Sequence, residues 1–372
     1  MDVINFLAAL ALMWLLWFLI VKRGIRKLTC HRSFSRYTAF EGESGELIEV
    51  VRNDSLSIIP WLRVESYISP NLRLEGQKNV YVGGDAFYRS CFTLMPYQQI
   101  RRRHKVTFAR RGVYDLGNAS LSSGVLLGQH RYWKDQELST PVVVYPRILE
   151  DENLPYPLSQ MMGEIITKNR LLADPFLVRG IRPYVPGDLV RDIHWPATAR
   201  TDELQVRVHD STACTRLLVV LNAQQFDKQW DHYITEEHVD AVEKDIRLAA
   251  SVCIHTLRAG LSVGFATNLP QQTQGKSTVI SPAAGNTWQE TLLESFAHLQ
   301  LHRSEMFISL LNSLDHYTGT DILILSPYDS QGIQESIRML QSKGNQVTFY
   351  CTEGGRGLGS VNFFEKFSCF CC

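Results

Sequence analysis

Apolar and polar positions follow three patterns along this chain, and each predicts a different kind of element. The first is an unbroken run, Val3 to Val21, "VINFLAALALMWLLWFLIV", without charge and with Asn5 as its one strongly polar residue. As a helix it would be about 28 Å long, close to the ~30 Å apolar thickness of a bilayer. Met1-Asp2 before it lacks a basic flank, and the bulky "MWLLWFLIV" leaves no small-residue cleavage site, so a signal peptide fits poorly. The run predicts a transmembrane helix, with an anchor region over residues 1–30. Lys22, Arg23, Arg26 and Lys27 follow it and no Lys or Arg precedes it. The positive-inside tendency then expects a single-pass protein of the cell membrane, N-terminus outside and soluble domains cytoplasmic.

The second pattern has a period of two. "ELIEVVRN" (Glu46–Asn53), "WLRVESYI" (Trp61–Ile68), "NVYVGGD", "FYRSCFTL", "KVTFARRGVYDLG" and "PVVVYPRI" are short runs separated by turn residues. Such spacing predicts an all-β, Ig-like sandwich over 31–147. The Cys…Trp…Cys signature of immunoglobulin domains is absent. "RRRHK" (Arg101–Lys105) is the sharpest basic run; a solvated strand end accounts for it, with anionic lipid headgroups as the alternative.

The third pattern alternates strands and helices over 213–353. "RLLVVLN" (Arg216–Asn222) reads as a strand buried on both faces. Val239, Val242, Ile246, Ala249, Ala250 and Cys253 recur at helical spacing, and Gly260 stands where a C-terminal cap belongs. "LSVGFAT", a helix over Thr287–Leu301, "DILILS", a helix ending at Gly344 and "NQVTFYCTE" complete an α/β, Rossmann-type order with a mostly parallel sheet. Ligands in such sheets bind beyond the carboxyl ends of the strands, here Asn222, Asn268 and Ser326 onward. These loops form a polar rim but a poor cage for a dication.

Composition narrows the function classes. Lys+Arg and Asp+Glu both number 38 in 372 residues, so no global charge points to nucleic acid. The eight cysteines are scattered or crowded at Cys369, Cys371 and Cys372, without a zinc or disulfide framework. "GGRGLG" (Gly354–Gly359) has too little chain after it for a dinucleotide-binding βαβ unit. The tail 354–372 ends in "FSCFCC".

Charge and chemistry concentrate in the connector, 148–212. "RGIRPYVPGDLVRDIHWPATAR" (Arg179–Arg200) combines prolines, arginines, aspartates and a tryptophan. Pro186-Gly187 suits a type II turn. Asp188 is placed to cap a helix from Leu189 towards Trp195, which Pro196 would end. Arg182, Arg191 and Arg200 can each fork onto carboxylates such as Asp188, Asp192 and Asp202. Two readings stay open for Arg182, Tyr184, Asp188, Arg191, Trp195 and Arg200: an interdomain clasp, or a docking surface rich in Arg and Trp. A hydrolase would have to use Asp188 and His194, and no paired acid and base is evident.

The motif "GIRPYVPGDLVRDIHWPATAR" resembles the hallmark of the domain of unknown function 58 family of prokaryotic membrane-anchored proteins. Gly180, Arg182, Tyr184, Pro186, Gly187, Asp188, Arg191, Ile193, Trp195, Ala199 and Arg200 carry the likeness, and "RRG-x-Y-x-L-G" (Arg110–Gly117) extends it. Pro183 and His194 stand where members carry an acid, and Pro196 where they carry a lysine. The resemblance implies a von Willebrand factor A-like domain over 213–353, no enzyme activity, and a MoxR-type AAA+ ATPase as partner. Metal-binding domains of that type use Asp-x-Ser-x-Ser after the first strand. The matching stretch here is Asn222-Ala223-Gln224-Gln225-Phe226, so no metal, cofactor or small-molecule substrate is expected. The expected function is a non-enzymatic, membrane-anchored interaction or adaptor protein serving such an ATPase. The alternative is a metal-dependent ligand-binding or adhesion module.

Overall fold

The computed structural model describes residues 27–75, 80–82, 85–124, 131–138, 140–185, 188, 190–211, 216–227, 229, 232–271, 275–352 and 359–360. Among them no helix is long and apolar enough to cross a membrane. The longest, Glu236–Arg258, carries Glu236, Glu237, Asp240, Glu243, Lys244, Asp245 and Arg247 along its length. Val3–Val21 lies outside the described residues, and the first described element is a strand. The expected transmembrane helix, and the single-pass placement in a cell membrane drawn from it, are therefore not upheld.

The chain divides into two units, Met1–Arg147 and Ile148–Cys372. The first is built from strands β1 (Leu28–Phe34), β2 (Thr38–Phe40), β3 (Ser44–Asn53), β4 (Ile59–Ile68), β5 (Leu72–Leu74), β6 (Val80–Val82), β7 (Asp85–Leu94), β8 (Gln99–Phe108), β9 (Gly112–Tyr114), β10 (Asn118–Gly124), β11 (Arg131–Glu137) and β12 (Val142–Tyr145). Two antiparallel sheets, β1-β3-β8-β5 and β11-β10-β4-β7-β6, face one another, and a small sheet β2-β12-β9 joins them. Alternation explains the layering. Leu28, Cys30 and Phe34 from β1, Leu47 and Val51 from β3, Leu62, Val64 and Ile68 from β4, and Tyr88 and Phe92 from β7 share one core.

Two residues break that apolar register. Arg32 and Glu49 occupy inward positions and are fully buried. Arg32 donates from Nε and Nη2 to Glu49 Oε1 at 2.8 and 2.6 Å, and from Nη1 to Ser66 Oγ at 2.5 Å. Ser66 lies on the opposite sheet, so the guanidinium ties the two layers together. It also lies 4.6 Å from the centre of the Tyr88 ring.

The second unit begins with helix α1 (Tyr156–Leu172). A hairpin follows, β13 (Ala173–Pro183) and β14 (Gln205–Ser211), with a short helix α2 (Trp195–Thr201) between its strands. Then come β15 (Arg216–Leu221), α3 (Glu236–Arg258), β16 (Ser262–Pro270), β17 (Ser277–Ala283), α4 (Asn286–His298), α5 (Phe307–Ser313), β18 (Asp321–Ser326), α6 (Gln331–Ser342), β19 (Gln346–Cys351) and β20 (Gly359–Ser360).

One sheet runs β17-β16-β15-β18-β19-β20. Its four central strands are parallel, and β17 and β20 pair antiparallel at the edges. Successive residues of β15 face opposite layers. Leu217, Val219 and Leu221 meet α3, α4 and the Leu158–Met162 face of α1. Leu218 and Val220 meet Phe307 and Leu311 of α5 and Ile333 and Ile337 of α6. Helix α3 has Glu236 and Glu237 in its first turn and His255 and Arg258 in its last, matching its dipole. Gly260, at φ 89°, lets the chain close that helix, with the Leu261 amide reaching back to the Thr256 carbonyl.

The candidate functional site: a hairpin turn and the carboxyl edge of the sheet

The residues singled out in the connector fall on the β13–β14 hairpin. The Arg182 guanidinium forks onto Asp188, with Nη1 to Oδ2 and Nη2 to Oδ1 both at 2.7 Å. Asp188 Oδ2 also accepts from the Val185 amide at 2.9 Å, and the Asp188 amide donates to the Val185 carbonyl at 3.0 Å. The carboxylate therefore closes the turn that follows β13 from both sides. Its bond from Arg182, then that from the Val185 amide, hold Asp188 below its usual range, and the same bond raises Arg182. Both groups are solvent-accessible, so the fork shapes the turn rather than locking a core.

Past the turn, the structure departs from the sequence reading. Asp188 does not cap a helix running from Leu189. A 3-10 turn covers Val190–Asp192, and the helix starts only at Trp195. His194 is its N-cap, its Nδ1 accepting from the Ala197 amide at 3.0 Å. Pro196 opens this helix rather than ending it, because a proline in the first turn lacks only an N–H that would have no partner there. His194 thus spends Nδ1 on the helix cap, and Asp188 spends both oxygens on Arg182.

Tyr184 is half-buried and joins the far strand by its backbone, its amide donating to the Leu204 carbonyl at 2.8 Å. Arg191 lies in the 3-10 turn, and its side chain is outside the described residues. Arg200 is exposed in the last turn of α2, and Asp202 ends that helix in the left-handed region at φ 54°. Arg182 to Asp188 is an expected Arg–carboxylate fork that the structure forms. Its bonds close within the hairpin. Around it stand exposed apolar side chains: Val190 at 70%, Trp195 at 62%, Val185 at 56%, Ile181 at 46% and Leu204 at 44% accessibility.

The carboxyl edge of the sheet is closed by amides. Asn222, one residue past β15, donates from Nδ2 to Ser326 Oγ at 3.0 Å and accepts at Oδ1 from the Gln224 amide at 2.9 Å. Asn268 Oδ1 accepts from the Ala223 amide, and Gln229 Oε1 from the Gln225 amide. The Gln224 side chain holds the Phe226 and Asp227 carbonyls at 2.9 Å each. The oxygens that a dication would need are committed locally. Ser326 Oγ donates to the Tyr328 carbonyl, Asp329 accepts from Gln334, and Ser330 caps α6. Among the described residues no group of three His, Cys, Asp or Glu side chains could hold a metal ion.

The positive charge here is protein-borne. Arg303 is buried at 2% accessibility and donates from Nη2 to the Gln229 carbonyl at 3.1 Å. Burial holds the nearby Tyr328 phenol above its usual range, against the opposing pull of the Asn222 amide. Sequence reasoning reached Asn222, Gln224, Asn268 and Ser326 through the strand ends and the loop after β15, but missed Arg303 and Gln229. No local pattern marks Arg303, which reaches the Gln229 carbonyl across 74 residues of chain.

No curated protein matches this chain. Several solved structures share weak likeness. The CARDB domain of a Pyrococcus furiosus protein, solved with di-metal ions, is 16% identical, covers 32% of this chain and 91% of its own, and has a TM-score of 0.22. A protein of unknown function from Porphyromonas gingivalis is 13% identical over 32% of this chain and 49% of its own, with a TM-score of 0.22. The bacterial hydrophobin BslA is 9% identical over 33% and 97%, with a TM-score of 0.20. Scores this low carry no weight for fold or function. A family model does match, over residues 180–316, from the last residues of β13 through the hairpin, the amide-closed edge and α5. Its description is "Protein of unknown function DUF58", and the match supports the DUF58 family for this chain.

Proposed function

We propose that this chain is a non-enzymatic interaction protein whose docking surface is the β13–β14 hairpin, and that its partner is an AAA+ ATPase of the MoxR type. The observation carrying this reading is the exposed apolar set Ile181, Val185, Val190, Trp195 and Leu204 around the Arg182–Asp188 fork. A turn stiffened by a bidentate ion pair presents its aromatic side chain at low entropic cost, as protein-binding hot spots do. We read 213–353 as a von Willebrand factor A-like domain whose metal position has been filled by amides. The metal-dependent alternative gains no support from the geometry, because Asn222 and Ser326 spend their side chains on each other.

The test is affinity purification of the full chain with mass spectrometry, wild type against Trp195→Ala. A central hot-spot side chain costs about 2 kcal/mol or more, roughly a thirtyfold loss of affinity. The expected result is an AAA+ ATPase recovered with wild type and lost with a variant of unchanged circular dichroism and melting temperature. Absence of any AAA+ ATPase from both samples overturns the reading.

A further inference from the structure

One end of the first unit turns its polar groups inward and its apolar ones out. The β3–β4 and β7–β8 connections meet there around Asn53, which is fully buried. Asn53 Nδ2 donates to the Ser57 carbonyl at 2.8 Å and across to the Met95 carbonyl at 2.9 Å. Its Oδ1 accepts from the Ser55 hydroxyl at 2.6 Å. The Tyr97 amide donates to the Ser55 carbonyl at 3.2 Å, so the two turns are bonded to each other. Outside this frame stand Leu56, 76% exposed, Tyr97, 64%, Met95, 55%, and Ile58, 54%. Four large apolar side chains clustered on a braced turn mark a surface that is covered in use.

The charges around the tip indicate what covers it. Val106 and Phe108 point into the core, so the period of β8 sends Arg101, Arg103 and Lys105 to the outer face of the sheet. In β3, Val51 and Asn53 are inward and Arg52 is outward, paired with Gln99 and next to the Val50–Arg101 pair. Arg102 is exposed and lies over the Phe92 ring at 4.1 Å. Lys27 is exposed as well, and its carbonyl accepts from the Asp54 amide. Against these cations, Asp54 is the one acid in the stretches 53–60 and 92–100, and Arg52 pairs with it at 2.6 Å. Farther from the tip the charges balance, with Arg103 3.7 Å from Glu46 and Lys105 2.8 Å from Glu75. A surplus of positive charge therefore collars the apolar tip and fades behind it.

An apolar protrusion ringed by cations matches a lipid surface with anionic headgroups. The apolar side chains reach the acyl boundary while the cations meet phosphate oxygens. A protein partner would need a pocket of matching shape with an acidic rim; a lipid surface asks only for apolar depth and charge. We propose that the tip formed by Leu56, Ile58, Met95 and Tyr97 docks on an anionic phospholipid surface, with Lys27, Arg52, Arg101 and Arg102 facing the headgroups. This is a peripheral contact of one end of the sandwich and needs no helix that crosses a bilayer. The site is separate from the β13–β14 hairpin and does not depend on the function proposed for it.

The experiment uses the full chain with a photo-crosslinking benzoylphenylalanine in place of Tyr97. The control carries it in place of Tyr37, which is at least as exposed but lies past the far end of β1. Each protein is irradiated with phosphatidylglycerol vesicles and, separately, with phosphatidylcholine vesicles, and lipid-linked peptides are measured by mass spectrometry. With phosphatidylglycerol, position 97 should give about tenfold more lipid adduct than position 37, because the interfacial contact is confined to the tip. Leu56→Ser/Ile58→Ser should lower the yield from position 97 several-fold while the melting temperature holds. Arg101→Glu should lower it about fivefold, and only with phosphatidylglycerol. Equal adducts from positions 97 and 37, equal adducts with phosphatidylcholine, or crosslinks from position 97 into protein alone each overturn the proposal.

Discussion

Two arginine–carboxylate pairs in this molecule work under opposite conditions. In the first unit Arg32 and Glu49 are wholly buried, and their bonds cross from one sheet to the other through Ser66. In the second, Arg182 and Asp188 meet at 2.7 Å near the surface and span six residues of one turn. Buried charges are costly to desolvate, so the core pair must be complete to be tolerated; the exposed pair is screened by water and salt. Arg32 sets two nitrogens on one oxygen of Glu49 and Arg182 forks onto both oxygens of Asp188; one pair registers two layers of a sandwich while the other sets the shape of a displayed surface.

The largest expected effect comes from splitting the buried pair. Arg32→Ala strands the Glu49 carboxylate between the sheets, and breaking such a pair costs about 3–5 kcal/mol. Urea unfolding should show that loss, and the double variant Arg32→Met/Glu49→Leu should recover most of it, since a well-packed apolar replacement is often neutral. The acid limb of the stability curve provides a second reading of the same pair. Burial pushes Glu49 up, but the bonds and charge of His104, Arg32 and Ser90 outweigh it and hold its carboxyl below the ordinary value of 4.5. Its contribution is therefore fully present above pH ~4.5 and is lost as pH falls through the depressed value. The Glu49→Leu member of the double variant should flatten that limb. If Arg32→Ala unfolds at the wild-type urea concentration, the pair does not register the sheets.

How much of this was legible in the sequence follows from how local each signal is. Leu47-x-Glu49-x-Val51 and Cys30-x-Arg32-x-Phe34 show their alternation openly. Opposite charges in two apolar registers were the available sign of the buried pair, though nothing in either strand says that they face each other across a sheet. Helix α3 and the strands β15, β16, β18 and β19 were readable because periodicity, a capping glycine and unbroken apolar runs all agree. The connector was harder. Pro196 is a helix breaker in one register and a helix starter in another, and only the His194 cap decides which. The hairpin itself was missed, because Asp174, Pro175 and Gly180 interrupt any strand pattern in β13. Arg303 and Gln229, 74 residues apart, meet only through the fold.

A smaller effect is expected where neither fork operates. The amide-closed edge of the sheet holds Asn222, Gln224, Asn268 and Ser326 without a carboxylate among them. Asn222→Asp puts one there. It removes the donor that Ser326 now accepts from and should cost about 1–3 kcal/mol by thermal unfolding. Millimolar magnesium should not restore the lost stability, because Ser326, Asp329 and Ser330 are already committed to Tyr328, Gln334 and the start of α6. Restoration by magnesium would mean that one carboxylate suffices to rebuild a dication site, and that the bonds of these residues are weaker than their geometry indicates.

The smallest stability change belongs to the exposed fork, and it sharpens the comparison most. Arg182→Gln removes both contacts to Asp188 yet leaves that carboxylate in water and still bonded to the Val185 amide. The melting temperature should therefore stay at the wild-type value, and the acid limb should hardly move. Partner recovery should nonetheless fall, because the turn carrying Val185 and Val190 loses the brace that fixes its shape before binding. Titrating salt gives the same test without mutation. The exposed fork is screened and the buried one is not, so added salt should weaken partner capture before it touches the sandwich. If Arg182→Gln lowers stability as much as Arg32→Ala does, the hairpin fork is a structural clasp after all, and the displayed apolar surface has to be sought elsewhere.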